Sequence, residues 1–200
     1  MPDPESDDLG RYLEDTITID WQTPEVMART RELLDGASIA EERVKRLFRF
    51  VRDEIKHSQD VETEAQTCRA SEVLKHGTGL CYAKSHLLAG MMRIAGFPTG
   101  FCYVRLADEE RSGRFSLHGF NAVYWQPRAA WIYLDARGNK DGVETECRLE
   151  SPWSLAYLPD PGKGESFLPF IYRRPGKRII DLLERAPSLE AICRNLPDAL

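Results

Sequence analysis

The main change in the spacing of this chain's apolar residues falls at Gly96. Before it they recur every three or four positions, the period of an amphipathic helix. After it they alternate, the period of a strand. Helices first and strands after do not build alternating strand–helix–strand units. The expected fold class is therefore α+β, with N-terminal helices packed on an antiparallel sheet.

The helical half carries its own punctuation. Thr23-Pro24-Glu25 is a helix start, with Thr as cap and Pro at the first helical position. That helix runs to about Asp35 and ends at Gly36. Ser38-Ile39-Ala40-Glu41 reads as a capping box. The helix behind it has one apolar face of Val44, Leu47, Phe48, Val51 and Ile55. Asp60 to Thr67 reads as loop. A short helix over Ala70–Lys75 delivers the chain to a loop containing Gly77 and Gly79. From Cys81 the pattern is helical again, with Leu87, Leu88, Met91 and Ala95 on one stripe and Gly96 as the stop.

Three strands follow: Thr99–Leu106, Leu117–Trp125 and Ala130–Asp135. Ala107–Arg114 is a charged loop, and Gln126-Pro127-Arg128 is a turn. Connections this short predict an antiparallel meander. At the N-terminus, residues 1–10 read as a frayed acidic tail and Arg11–Trp21 as a short strand. Towards the C-terminus, Phe167–Tyr172 reads as one more strand, with short helices at Ile179–Arg185 and Ser188–Asn195. We divide the chain into an arm (1–22), a core (23–142) and an extension packed on the same domain (143–200). Trp153, Tyr157, Phe167 and Phe170 are expected to pack within that extension, over the cleft.

Composition bounds the function. Two hundred residues with 42% apolar content suffice for one domain with a real core. A net charge of −5 gives no reason to expect nucleic acid or an anionic membrane as partner. No run approaches the roughly 18 apolar residues that span a bilayer. The first twenty residues are acidic and lack an apolar core, so they do not read as a secretory signal. Five scattered cysteines without Cys-x-x-Cys spacing fit reduced thiols and a cytoplasmic location.

The chemistry concentrates at His76-Gly77-Thr78-Gly79-Leu80-Cys81-Tyr82-Ala83-Lys84-Ser85. A cysteine in the first helical turn sits at the positive end of the macrodipole, beside unpaired backbone N–H groups. Both favour a thiolate, and the N–H groups suit an oxyanion. The plain alternative is a small buried thiol at a helix start. A nucleophilic cysteine also needs a base, and the base needs a group to orient it. Of the four histidines, His57 ends an amphipathic helix and reads as a cap for its carbonyls. His76 also ends a helix, and its closeness to Cys81 gives it a site-shaping role at most. His86 lies five residues, about 500° of helical rotation, beyond Cys81 and points away. His118 stands near the start of a strand, with Gly119 leaving space beside it. Asp135 stands at the end of the next strand. In an antiparallel pair those two positions are neighbours, so the carboxylate can fix the imidazole.

Three segments, Gly79-Leu80-Cys81-Tyr82, His118-Gly119-Phe120-Asn121-Ala122-Val123-Tyr124 and Trp131-Ile132-Tyr133-Leu134-Asp135, resemble the core motifs of the transglutaminase-like superfamily. Phe50–Ile55 and Leu88–Gly100 are similar to its flanking helices. The resemblance covers roughly residues 40–136. It implies a papain-like core with Cys81 as nucleophile, His118 as general acid/base and Asp135 as orienting group. Gly119-Phe120 stands where the family often has Ala-Trp, and Tyr82 where Trp is often found. These positions, with Gly79, are expected to shape the site or hold substrate. The implied reaction is acyl transfer from an amide or peptide bond through a thioester on Cys81, with hydrolysis favoured over transamidation. The substrate would be a peptide, a protein or a small amide. The oxyanion would take the Cys81 N–H and one further donor that the sequence does not name. The rival readings are a catalytically silent protein-binding module and an acyltransferase using a carrier thioester. No Gly-rich phosphate loop or basic cluster supports the latter, so no cofactor is expected. Nor is a metal: Asp135–Glu146 faintly resembles a calcium loop, but Arg137 occupies a ligand position.

Overall fold

The computed structural model describes residues 1–108 and 113–200. Part of the expected charged loop, residues 109–112, lies outside the described residues. In chain order the elements begin with β1 (Asp3–Pro4) and a 3-10 turn at Leu9–Tyr12. Helices α1 (Pro24–Leu34) and α2 (Ala40–Arg49) follow, then β2 (Lys56–His57), α3 (Ala70–His76), β3 (Thr78–Gly79) and α4 (Cys81–Ile94). The strands β4 (Thr99–Ala107), β5 (Phe115–Trp125) and β6 (Ala130–Leu134) come next. The chain ends with β7 (Ser166–Phe167), β8 (Phe170–Ile171), α5 (Lys177–Arg185) and α6 (Leu189–Arg194). No helix among the described residues is long and apolar enough to cross a membrane.

The main sheet has the order β6-β5-β4-β7 and is antiparallel throughout. The meander expected after Gly96 is therefore present, and Gly96 itself sits at φ +83°, a backbone conformation that suits glycine. Alternation along β5 makes two cores. Leu117 and Val123 face the helices, where they join Leu87, Leu88, Met91 and Met92 of α4. Phe120 and Ala122 face the other way, against Tyr12, Val104, Tyr133 and Ile171.

Helix α4 is buried on almost every side rather than along one stripe. Its polar residues are tolerated because they are bonded. Arg93 donates to the carbonyls of Thr99, Glu14 and Arg173. Lys84 donates to the carbonyls of Ile55 and Arg52, the end of a single π-helical turn (Phe50–Glu54) that closes α2. A helix end whose carbonyls would lie orphaned is thereby satisfied by a side chain of α4.

Several local expectations are corrected. Residues 1–10 are docked rather than frayed: β1 pairs in parallel with β8, and Tyr133 Oη donates to the Pro2 carbonyl at 2.8 Å. Arg11–Trp21 is not a strand, because Tyr12 is drawn fully into the second core, where its hydroxyl donates to the Ile171 carbonyl. Ile39, not Ser38, occupies the N-cap of α2, and it makes no side-chain cap. Thr23 caps α1 by position only; its hydroxyl donates back to Asp20. The strand expected at Phe167–Tyr172 divides into β7, paired with β4, and β8, paired with β1. Ser188 does cap α6, its hydroxyl accepting from Ala191 N at 3.1 Å.

Candidate active site

Cys81 is the first residue of α4, preceded by Leu80 in extended conformation at the N-cap. The approach is fixed by β3, which runs parallel to β2 and pairs Gly79 with His57. Gly79 is needed here for space: a Cβ would lie 3.1 Å from both Ala83 Cβ and Thr67 Oγ1. Of the other expected site residues, His76 is exposed at the end of α3. Tyr82 and Phe120 are each 1% exposed, too buried to touch a substrate, and Phe120 packs in the second core on Tyr133 and Phe167. The Tyr82 hydroxyl donates to the Leu117 carbonyl.

The register of β5 and β6 ends with Asn121 opposite Leu134. One step further, Asp135 stands on the same face as His118 and diagonal to it, within reach of a side-chain bond. His118 Nε2 lies 2.8 Å from Asp135 Oδ2. The Cys81 side chain is close enough to act on the same ring. Burial alone pushes His118 towards neutrality, but Asp135 and Cys81 outweigh it and hold the imidazole well above its ordinary value. Burial also pushes the Asp135 carboxyl up. His118 and the backbone N–H groups of Ala156 and Arg137 overcome this and hold it below the usual carboxylate range.

Gly119 makes room for this arrangement. A Cβ there would stand 2.9 Å from Tyr82 Cδ1. We expect Gly119→Ala to force the buried Tyr82 ring aside and to cost about 1–3 kcal/mol, as overpacking does. Thermal unfolding checks the stability. Slower alkylation of Cys81, on the residue before Tyr82, checks that the strain reaches the site.

Four neighbours were not legible as site residues. His57 is not a helix cap. It is 5% exposed in β2, with Nε2 3.2 Å from the Cys81 backbone nitrogen. Burial, chiefly, and Arg137 push its pKa down to about 3, so the ring is neutral. Arg137, 3% exposed, pairs through both Nη atoms with Asp60, and its side chain also bonds Tyr157. Tyr157 in turn meets the His118 ring edge-on, with centroids 4.9 Å apart. Nothing in local sequence announces contacts across such separations.

The Asp135–Glu146 stretch is not arranged around an ion: Asp135 is bonded to His118, and Asn139 Oδ1 accepts from the backbone of Thr145. No cluster of three or more His, Cys, Asp or Glu side chains suited to a metal occurs among the described residues.

The sequence profile of the Transglutaminase-like superfamily matches residues 27–136, over half the chain and including all three of these groups. The protein belongs to that superfamily, whose members typically use cysteine-dependent catalysis. Among solved structures, a candidate cysteine protease from Cytophaga hutchinsonii is similar, with a TM-score of 0.50 and 14% identity. The match covers 66% of this chain and 43% of that one. The periplasmic domain of TgpA from Pseudomonas aeruginosa matches with a TM-score of 0.48 and 17% identity, over 64% of this chain and 46% of that one. The chain thus spans less than half the length of these structures. No sequence among curated proteins matches it.

Proposed function

We propose that the protein is a cysteine-dependent hydrolase of amide or peptide bonds, with Cys81 as nucleophile, His118 as general acid/base and Asp135 as the orienting carboxylate. The observation that carries this reading is the convergence of the three groups: His118 Nε2 lies 2.8 Å from Asp135 Oδ2, and Cys81, at the start of α4, acts with Asp135 in favouring the charged ring. In this reading Cys81 Sγ adds to the carbonyl carbon, and the imidazolium protonates the departing amine. The thioester left on Cys81 is then released by water, activated by the neutral imidazole. Transamidation differs only in the last step, where an amine replaces water. The substrate class is a peptide, a protein side-chain amide or a small amide. Five free cysteines suit a reducing compartment, so a cytoplasmic site of action goes with the proposal.

Site-resolved alkylation with iodoacetamide tests it. Burial pushes the Cys68 thiol up to about 12 and Cys147 to about 11, and it raises Cys102 and Cys193 as well. Cys81 is expected to label fastest of the five near neutral pH. His118→Ala is expected to slow that labelling at least tenfold at about pH 6. If Cys81 labels no faster than Cys193, or is indifferent to His118→Ala, the proposal fails. Hydrolysis is separated from transfer by acylating Cys81 with p-nitrophenyl acetate and adding methylamine: acetate is expected as the main product, not N-methylacetamide.

A further inference from the structure

Arg137 has partners on both sides of the site. Its backbone N–H donates to Asp135 Oδ1 at 3.1 Å, on the acid–base side. Its guanidinium crosses to the other side and donates through both Nη atoms to the two carboxylate oxygens of Asp60, with Nη2 2.9 Å from Oδ1. Asp60 closes the turn that follows β2, its own N–H donating to the His57 carbonyl at 2.8 Å. β2 in turn pairs with β3, the strand that leads into Cys81. Among the described residues, β2 and β3 form a sheet of their own and share no strand pairing with the sheet that carries His118. The ion pair therefore spans the opening between them, with the Arg137 side chain 3% exposed and that of Asp60 28%.

The same guanidinium is within reach of Tyr157, whose ring meets His118 edge-on. A single bond at Nε2 fixes one edge of the His118 imidazole and leaves the ring free to turn about it. The packed Tyr157 ring removes that freedom. Burial alone would push Arg137 towards losing its charge, but Asp60 and Tyr157 outweigh it and keep the guanidinium cationic. Three other titratable groups face the pair. Lys140 Nζ lies 3.7 Å from Asp60 Oδ1. Burial first, and then the Arg137 charge, push His57 down to about 3 and Lys84 to about 7, which marks how close the guanidinium stands to β2 and to α4.

We infer that Arg137 is a positioning residue of this site: clamped to Asp60 on the nucleophile side and holding Tyr157 on the other, it keeps the His118 ring turned towards Cys81. The inference rests on the reading of Cys81 as nucleophile, and it adds residues 60, 137 and 157 to the three of that reading. An arginine suits the task because its guanidinium is planar. Two parallel N–H···O bonds to one carboxylate fix an angle as well as a distance. A lysine would keep the charge and lose the angle. Asp60 and Arg137 touch neither the sulfur nor the imidazole, so they act through Tyr157 and through the turn after His57.

The pH dependence of Cys81 alkylation by iodoacetamide tests this on the full chain. The variants are Arg137→Lys and Tyr157→Phe, of which the second keeps the ring and removes the hydroxyl. A thiol paired with an imidazolium ionises well below its unassisted value of about 8.5, so a lost pairing shows at low pH and not at high pH. In Arg137→Lys, alkylation is expected to fall at least about tenfold at about pH 6 and to stay within about twofold of wild type at about pH 9. In Tyr157→Phe it is expected to fall about threefold at about pH 6, with the same recovery at about pH 9. Thermal unfolding reports the stability of each variant separately. A residue that only supports the fold would lower the unfolding temperature and leave the pH dependence as in wild type. That result in either variant overturns the inference. Should Arg137→Lys fail to fold, Tyr157→Phe, altered at a partly exposed residue, decides alone. If wild-type Cys81 labels no faster than Cys193 at about pH 6, the proposed function falls and the inference falls with it. Fast labelling of the wild type with an unmoved variant removes the inference alone.

Discussion

Asp135→Asn is expected to reduce acylation of Cys81 by p-nitrophenyl acetate at least about 100-fold at neutral pH, the scale of losing a positioned acid–base group. The substitution changes one atom, and the site explains why that suffices. Three N–H groups converge on the carboxylate: Arg137 N on Oδ1, and Ala156 N together with His118 Nε2 on Oδ2. A carboxylate accepts all three. An amide has one oxygen, so whichever way it turns, its NH₂ faces at least one donor. One buried N–H is left without an acceptor, at about 1–3 kcal/mol of stability. The loss of charge does more. His118 is fully buried, and what holds its imidazole well above the ordinary value is chiefly Asp135, then Cys81. Without the anion, burial prevails and the ring shifts towards neutrality. Alkylation of Cys81 at about pH 6 is therefore expected to fall at least tenfold in Asp135→Asn. The difference from wild type should narrow as pH rises towards about 9, where an unassisted thiol ionises. Acylation and alkylation at the wild-type rate would show that Asp135 only ties the β6 end to Ala156.

The path from sequence to this site was uneven, and the unevenness has physical causes. His118 and Asp135 were legible because strand geometry is periodic: two short connections and a period of two fix which ends of β5 and β6 are neighbours. Cys81 was legible because glycine punctuation marks the helix start, and Gly77 does adopt φ +64°. The fold class followed from the change of period at Gly96. His57 was misread because the apolar spacing of α2 continues unbroken through Val51 and Ile55. Nothing local says that the helix opens into a π-helical turn and that Ile55 is already extended. What ends it is a lysine on another helix, Lys84, taking the carbonyls of Arg52 and Ile55.

In the C-terminal segment the two helices were legible from their period, but the path of the chain before them was marked by little more than its aromatics. Trp153 packs on Tyr133, Tyr157 on His118 and Phe167 on Phe120, whereas Phe170 remains 45% exposed. That Ala156 donates its backbone N–H to Asp135 is a property of chain path, not of residue type. An alanine carries no signature of that role. The N-terminal residues were misjudged for a related reason. A polar, acidic opening reads as a tail, yet β1 needs only backbone groups to pair with β8.

Acid should destabilise this protein earlier than its carboxylates alone would allow, and two buried histidines set the window. His57 and His86 are held neutral, with burial as the main cause, at about 3 and about 4. His86 is fully buried on α4, its Nδ1 bonded to the Cys68 carbonyl at 2.7 Å and its Nε2 without a partner. In the unfolded chain both rings titrate near 6.5. Below that pH the unfolded state binds protons that the folded state refuses. Stability is therefore fully present above about pH 6.5 and is lost as pH falls towards the folded values, by up to about 1.4 kcal/mol per pH unit for each ring. His118 has the opposite sign. Its raised value leaves its contribution complete below about 6.5 and removes it only as pH climbs, so it adds no slope on the acid side. Asp135 and Asp60, both lowered, lose their contributions only below about pH 4. Urea unfolding at about pH 6.5, 5.5 and 4.5 is thus expected to show a fall of about 2–3 kcal/mol per pH unit at the steepest. His86→Gln removes one of the two rings and is expected to halve that slope, whatever its effect on absolute stability. A flat profile over this interval would mean that the buried rings accept protons in place.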